Sequence, residues 1–445
     1  MTGSVLDGQF GERLALESDS KRTVLPAAAL HAEELASDFR SVRSRTEALA
    51  APLSAEDCSA QSMADASPTK WHLAHTTWFF ETFVLEASEP AFQAFDASYR
   101  TLFNSYYNSV GEQYARPQRG LLTRPSLARV MEYRERTDEE ILRKLEADSL
   151  SPEMLNIVEL GLHHEEQHQE LILTDILHLF AINPQRPAYR RDLTETGPSK
   201  LAPLTWHPGV EGIQSIGHPG IGFCFDNEGP QHEVMVAPHA LGSRLVTNLE
   251  YQAFMQDAGY SRPELWLSEG WALCQQKNWR APLYWQEREA GWNAFGLSGL
   301  GPVIPSEPVA HISFFEADAY ARWADARLPL ETEWELSAKE PSREDNLVDS
   351  GKLRPHGLGS RPESGPHQLF GDVWEWTQSP YQAYPGYRPG AGALGEYNGK
   401  FMSNQYVLRG GSCVTPRRHI RSTYRNFFPA HARWQWSGLR LAKNA

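Results

Sequence analysis

The chain has 445 residues, of which 41% are hydrophobic and 22% charged, the balance of a globular protein with two or three domains. A formal charge of −14 argues against a nucleic-acid partner and favours small molecules. Cys58, Cys224, Cys274 and Cys413 are scattered without a C-x-x-C pair, which fits free thiols in a reducing cytoplasm, and neither an export leader nor a membrane-length apolar run is present.

Residues 1–28 carry no sustained period and are expected to form a flexible arm. From residue 29 the pattern is helical, with stretches near 31–50, 124–147 and 152–181 and another in "SPTKWHLAHTTWFFETFVLEA". In that stretch Ser67 reads as the N-cap and Pro68 as the first helical residue, while Trp71, His75, Trp78 and Thr82 recur at helical spacing. Four helices predict a bundle. The Pro-rich, charged run "AINPQRPAYRRDLTETGPSKLAP" reads as a linker and puts a domain boundary near 198. Residues 199–445 mix short strand-like runs ("HEVMVAPHAL", "QYVLRGGS", "GLRLA") with a few helices ("TNLEYQAFMQDAG", "SFFEADAYARWADA", "LETEWELSAKE") and long loops rich in Gly, Pro and Trp. The fold class expected is α+β, with a helical domain over 29–198 and a second domain over 199–445.

The segment "HHEEQHQELILTDI", residues 163–176, matches the H-E-x-x-H pattern of zinc peptidases in His164, Glu165 and His168. Two histidines one turn apart share a helix face and can share a metal ion. A peptidase needs a third ligand. In the extended motif a Gly and a His should follow, where this chain has Leu171 and Thr174, and the first downstream carboxylate, Glu195, falls in the Pro-rich linker. The zinc metallopeptidase reading is therefore a remote alternative. His75, on a facing helix of a bundle, is the better third ligand. Three neutral imidazoles leave one side of a metal open, which suits zinc with a hydroxide or Fe(II) with O2 and substrates; spacing does not choose between them.

Beyond these patterns, "SPTKWHLAHTTWFFETF", "LFNSYYNSVGEQYARPQRGLLTRPS" and "HHEEQHQE", followed by "RLPLETEWE", "GDVWEWT", "VLRGGS" and "STYRNFFPAHARWQWSGLRLA", closely resemble the ergothioneine-biosynthesis sulfoxide synthases, also called hercynine oxygenases. The resemblance runs in matching order from about residue 35 to the end. It implies a DinB-like four-helix bundle joined to a C-type-lectin-like domain of the formylglycine-generating-enzyme, or sulfatase-modifying-factor, type. It also implies a non-haem Fe(II) held by three histidines, which uses O2 to join a thiol sulfur to the imidazole C2 of hercynine, the trimethylated betaine of histidine. The implied ligands are His75, His164 and His168; His72 and His163 do not match ligands, and Glu165 loses its role as a base.

Gln167, Asn426, Phe427 and Phe428 fall on the side that receives the hercynine trimethylammonium group, for which aromatic faces and amide oxygens suit a cation without N–H donors. Arg116 and Arg119 match the region that grips the carboxylate of the thiol substrate. Tyr106 and Tyr107 match the tyrosine pair of one branch of the family, in which a phenol near the metal gives the proton that directs the reaction to C–S bond formation; Tyr107 is placed slightly ahead of Tyr106. Phe427 and Phe428 stand where another branch has Trp and Asp, which removes an acidic contact to the thiol's amino end and makes free cysteine as plausible a donor as gamma-glutamylcysteine. Selenoneine synthases, which couple hercynine to a selenosugar, are the nearest alternative. A copper-dependent formylglycine-generating oxidase needs two neighbouring cysteines near the C-terminus, where only Cys413 occurs.

Overall fold

The computed structural model describes residues 27–193, 201–338, 340–342, 344–359, 365–390 and 392–445. Of the expected arm, residues 1–26 lie outside the described residues, as does the expected boundary near 198, whereas residues 27 and 28 open a helix.

The first half is built on four long helices, α1 (Ala27–Ala50), α2 (Thr69–Phe80), α3 (Leu127–Glu146) and α4 (Pro152–Ile182). The starts of α3 and α4 follow capping chemistry: Ser126 Oγ accepts from the Arg129 amide and Ser151 Oγ from the Met154 amide, with Pro152 in the first helical turn. At α2 the expectation is off by one residue. Pro68 is the N-cap and no side chain caps the helix. Ser67 has other partners, since its hydroxyl accepts from Arg119 Nη1 at 2.9 Å and its amide donates to Asp175 Oδ2 at 2.8 Å. After Phe80 the helix continues through a π-helical turn, Glu81–Leu85, into a last turn at Glu86–Ser88.

The bundle core is aromatic, with Phe39, Trp78, Phe80, Tyr133 and Leu162 buried together. Gly161 sets the approach of α4 to α2. A Cβ at this position would stand 2.5 Å from the Phe80 ring and 2.8 Å from that of Phe79, so a larger residue would drive the two helices apart three residues before His164.

The second half carries twelve short strands among the described residues: β1 (Trp206–Pro208), β2 (Gly212–Ile216), β3 (His232–Val236), β4 (His239–Leu245), β5 (Trp285–Arg288), β6 (Gly291–Gly296), β7 (Gly299–Pro302), β8 (Trp374–Pro380), β9 (Gln405–Arg409), β10 (Asn426–Pro429), β11 (Ser437–Gly438) and β12 (Arg440–Asn444). They form a β1-β4-β12 sheet that ties the start of this half to its end, a β2-β3 hairpin, a β5-β6-β7 meander and a β10-β9-β8-β11 sheet. Two helices, α5 (Asn248–Gln256) and α6 (Phe314–Trp323), start with reciprocal capping boxes, Thr247 with Glu250 and Ser313 with Glu316. A core of Tyr251, Phe314, Trp334, Trp374 and Trp376 joins sheet and helices. Paired buried charges cross it: Arg440 with Glu375 at 2.9 Å and Arg425 with Glu331 at 2.9 Å. The architecture is α+β.

The halves meet along α4. The Glu170 carboxylate is buried and accepts from Trp374 Nε1 at 2.6 Å, Ser412 Oγ at 3.2 Å and Thr415 Oγ1 at 2.6 Å, all from the second half. One turn earlier, Gln167 Nε2 donates to Tyr424 Oη at 2.8 Å.

Candidate metal centre and substrate cavity

His75 on α2 and His164 and His168 on α4 are brought together as the i, i+4 spacing and the bundle expectation require. They are buried, and each offers a ring nitrogen within 4.8 Å of the others. Their ring centroids lie 4.7 to 5.0 Å apart. His75 Nδ1 is 2.6 Å from the Phe103 carbonyl, so this nitrogen is the N–H donor and Nε2 keeps its lone pair. His168 Nδ1 lies 2.7 Å from His72 Nδ1, and His72 Nε2 lies 3.0 Å from Asp175 Oδ2. Burial, reinforced by neighbouring imidazoles, holds His75 and His168 well below the usual histidine range, and burial pushes His164 down to about 4. Three buried imidazoles that stay neutral near pH 7 are a donor set suited to one divalent metal ion.

The triad opens into a cavity of about 390 Å³ at the seam of the halves. Arg116 and Arg119 come from a short 3-10 helix, Arg116–Leu121, and both line it. Arg119 is buried, stacks on the Trp71 ring at 3.4 Å and donates to Ser67 Oγ. Burial brings its pKa down to about 9, with Arg116 pushing the same way and Tyr106 opposing. Arg116 Nη1 donates to Tyr106 Oη at 2.9 Å, and its Nη2 donates to the Asp65 carbonyl. Neither guanidinium forms an ion pair with a carboxylate among the described residues, and the Nε–H of each is buried without an acceptor there. From the second half, Asn426, Phe427 and Phe428 on β10 line the same cavity, as does Gln167 from α4. Phe427 stacks on Tyr381 at 4.1 Å, which holds its ring in place.

Residues 38–172 match the model of the DinB superfamily, and residues 210–445 match that of the sulfatase-modifying factor enzyme 1-like domain. Over 459 residues the chain is 30% identical to a hercynine oxygenase of Mycolicibacterium thermoresistibile, with 93% of this chain and 95% of that protein covered. It is 33% identical to a hercynine oxygenase of Mycolicibacterium smegmatis, with 64% of this chain and 70% of that protein covered. To a hercynine oxygenase of Mycobacterium tuberculosis it is 36% identical, over 49% of this chain and 55% of that protein. The chain belongs to the hercynine oxygenase family. It is accordingly an oxygenase.

In this hercynine oxygenase family member the two tyrosines have separate surroundings. Tyr106 lines the triad cavity, with its ring edge-on to Phe401 at 5.1 Å. Tyr107 is buried between Trp78 and Phe83, with ring centroids at 5.6 and 5.1 Å, and lines a second cavity of about 410 Å³ that reaches His164 from another side. Burial raises the Tyr107 phenol far above its usual range.

Sequence reasoning missed several lining residues. Tyr397 lines both cavities, and Phe401 and Tyr424 line the triad cavity. The aromatics of "GEYNGKF" sit in an irregular Gly-rich loop, and no periodicity marks which of them face a cavity. His72 and Asp175 were missed as partners because 103 residues separate them.

The other face of α4 carries a second cluster, His163, Glu166 and His419, with donor atoms within 4.8 Å. A cation already occupies it: Arg418 Nη1 lies 3.0 Å from Glu166 Oε2 and 3.4 Å from His163 Nε2, and His163 stacks on Phe223 at 3.8 Å. All four cysteines are free, and Cys413 is fully buried in an apolar core. No helix among the described residues is long and apolar enough to cross a membrane.

Proposed function

We propose that the chain is a non-haem Fe(II), O2-dependent sulfoxide synthase of ergothioneine biosynthesis, joining the imidazole C2 of hercynine to the sulfur of a thiol in the cytoplasm. The observation that carries this reading is a neutral histidine triad opening on a cavity with two guanidiniums that have no carboxylate partner among the described residues. His75, His164 and His168 would hold the iron, and the Phe103 carbonyl, which accepts from His75 Nδ1 and so orients that ring, supports the choice. Bound iron would supply O2 activation. The reaction balances without a further reductant: the C2–H and S–H bonds are replaced by C–S, one oxygen atom ends on sulfur, and the other leaves as water with the two hydrogens. O2 thus accepts four electrons, all from the two organic substrates.

Within this reading each cavity residue has a task. Arg116 and Arg119 bind the thiol substrate's carboxylate, which would satisfy their open N–H groups. Gln167, Asn426, Phe427 and Phe428 face the hercynine trimethylammonium group, which has no N–H to donate and favours aromatic faces. Tyr106 is the better placed proton donor, and Tyr107 the second. Cysteine is the donor favoured by Phe427 and Phe428, because the position of the acidic contact is apolar.

The test is iron-loaded protein given hercynine and O2 with cysteine, gamma-glutamylcysteine or a selenosugar in separate reactions, read by mass spectrometry. The expected product is the cysteine-derived sulfoxide, and His75→Ala should lose both iron and coupling. Coupling of the selenosugar in place of either thiol would assign the chain to selenoneine formation. Stoichiometric iron in His75→Ala would overturn the ligand set.

A further inference from the structure

Behind the triad lies an unbroken chain of buried polar groups. Arg119 Nη1 donates to Ser67 Oγ, the Ser67 amide donates to Asp175 Oδ2, Asp175 Oδ2 lies 3.0 Å from His72 Nε2, and His72 Nδ1 lies 2.7 Å from His168 Nδ1. Ser67, His72, His168 and Asp175 are each at most 8% exposed. Every proton in the His72–His168 contact is fixed by elimination. A carboxylate only accepts, so His72 Nε2 is the N–H donor to Asp175. Neutral His72 then has only a lone pair at Nδ1, and His168 Nδ1 is the N–H that donates to it. His168 is left with its lone pair on Nε2, the nitrogen that no described group engages.

We infer that Asp175 and His72 are positioning residues that lock His168 in its Nδ1–H tautomer, turning Nε2 towards the metal. This rests on the reading of His75, His164 and His168 as the ligands. Without Asp175 the opposite arrangement, His72 donating from Nδ1 and His168 accepting, is equally good for the pair and removes the ligand's lone pair from Nε2. His72 is not a fourth ligand, because both of its nitrogens are already used. The chain also continues to Arg119, so the group that orients the ligand and the group proposed to bind the thiol's carboxylate share one hydrogen-bonded path.

The experiment uses the full chain loaded with Zn(II) as a diamagnetic probe and labelled with 15N-histidine. Long-range 1H–15N correlation spectra should show His168 protonated at Nδ1 and His72 protonated at Nε2. His72 protonated at Nδ1, or His168 bound to the metal through Nδ1, would overturn the relay on the wild-type protein alone. Metal affinity is then measured by chelator competition with Co(II), whose visible bands report ligand geometry. His72→Phe and Asp175→Asn should weaken binding by about 10- to 100-fold and shift those bands. His72→Gln, with one acceptor for His168 and one donor for Asp175, should recover part of the loss. Wild-type affinity and bands in both His72→Phe and Asp175→Asn would also overturn the proposal. A wild-type chain that bound no ion, or a His75→Ala variant that bound one normally, would instead discard the ligand set beneath it.

Discussion

Tyr106 and Tyr107 are neighbours in the chain, but one lines the triad cavity and the other the second cavity. Tyr106 carries a polar partner, Arg116 Nη1 at 2.9 Å, which leaves its own O–H free to donate into the cavity. The Tyr107 hydroxyl makes no hydrogen bond among the described residues, and its ring packs on Trp78 and Phe83. The chain order of "NSYYNS" therefore says that a phenol is at hand and is silent on which one faces the triad. A phenol O–H held in a cavity can give its proton to a reacting group as a general acid. Replacing Tyr106 by Phe keeps the ring and removes the proton. The ratio of sulfoxide to oxidised thiol should fall by about 10²-fold or more, the usual scale for a lost general acid, with iron content unchanged. Tyr107→Phe should leave the ratio near wild type. Mass spectrometry of both products decides it, and the reverse pattern would move the acid to the second cavity.

Along α4, successive residues of the H-E-E-Q-H run face different neighbours. His164 and His168 face the cavity, Glu166 faces Arg418, and Glu165 points into the bundle, where Arg43 Nη1 of α1 lies at 2.7 Å and Arg134 Nη2 of α3 at 3.0 Å. That His164 and His168 meet on one helix face was legible from spacing alone. The partners of Glu165 were not, because Arg43 is 122 residues away and Arg134 is 31. Burial alone would raise the Glu165 pKa, but the two guanidiniums outweigh it and hold the carboxyl down to about 2. A depressed carboxylate stabilises the fold above its unfolded value, about 4.5, and that contribution is lost as pH falls towards the folded value. Glu165→Gln leaves two buried guanidiniums short of charge and should destabilise the chain by about 3 kcal/mol at pH 7. The gap from wild type should narrow below pH ~4.5 and close near ~2. Chemical denaturation across pH measures this. A variant of wild-type stability without activity would return Glu165 to the chemical role that the peptidase motif suggests.

At the scale of the whole molecule, the triad cavity is a joint product of α2, α4, the Arg116–Leu121 turn and β10. Helical periodicity was enough to place α1, α3 and α4 within a few residues, whereas α2 is buried on every side and was marked by the Ser-Pro start before it. The second half was less legible: its elements were found singly, but no local pattern pairs β9 with β8 and β10, or sends Tyr424 to Gln167 across 257 residues. The seam gives a prediction that neither half makes alone. The proposed metal ligands come from α2 and α4, so Zn(II) as a redox-inert ion should slow amide exchange mainly around those helices. Hercynine touching Gln167 on one side and Asn426 to Phe428 on the other should then add protection in β10 and in the Gly399–Phe401 turn, which supplies Phe401 to the cavity. At a ligand concentration of about 100 Kd, binding linkage stabilises the closed seam by roughly 2.7 kcal/mol, so exchange through its opening should slow by about 100-fold. Hydrogen–deuterium exchange with metal alone, then with metal and hercynine, measures both steps. Protection confined to the helices after hercynine is added would place its binding wholly within the bundle and remove β10 from the substrate site.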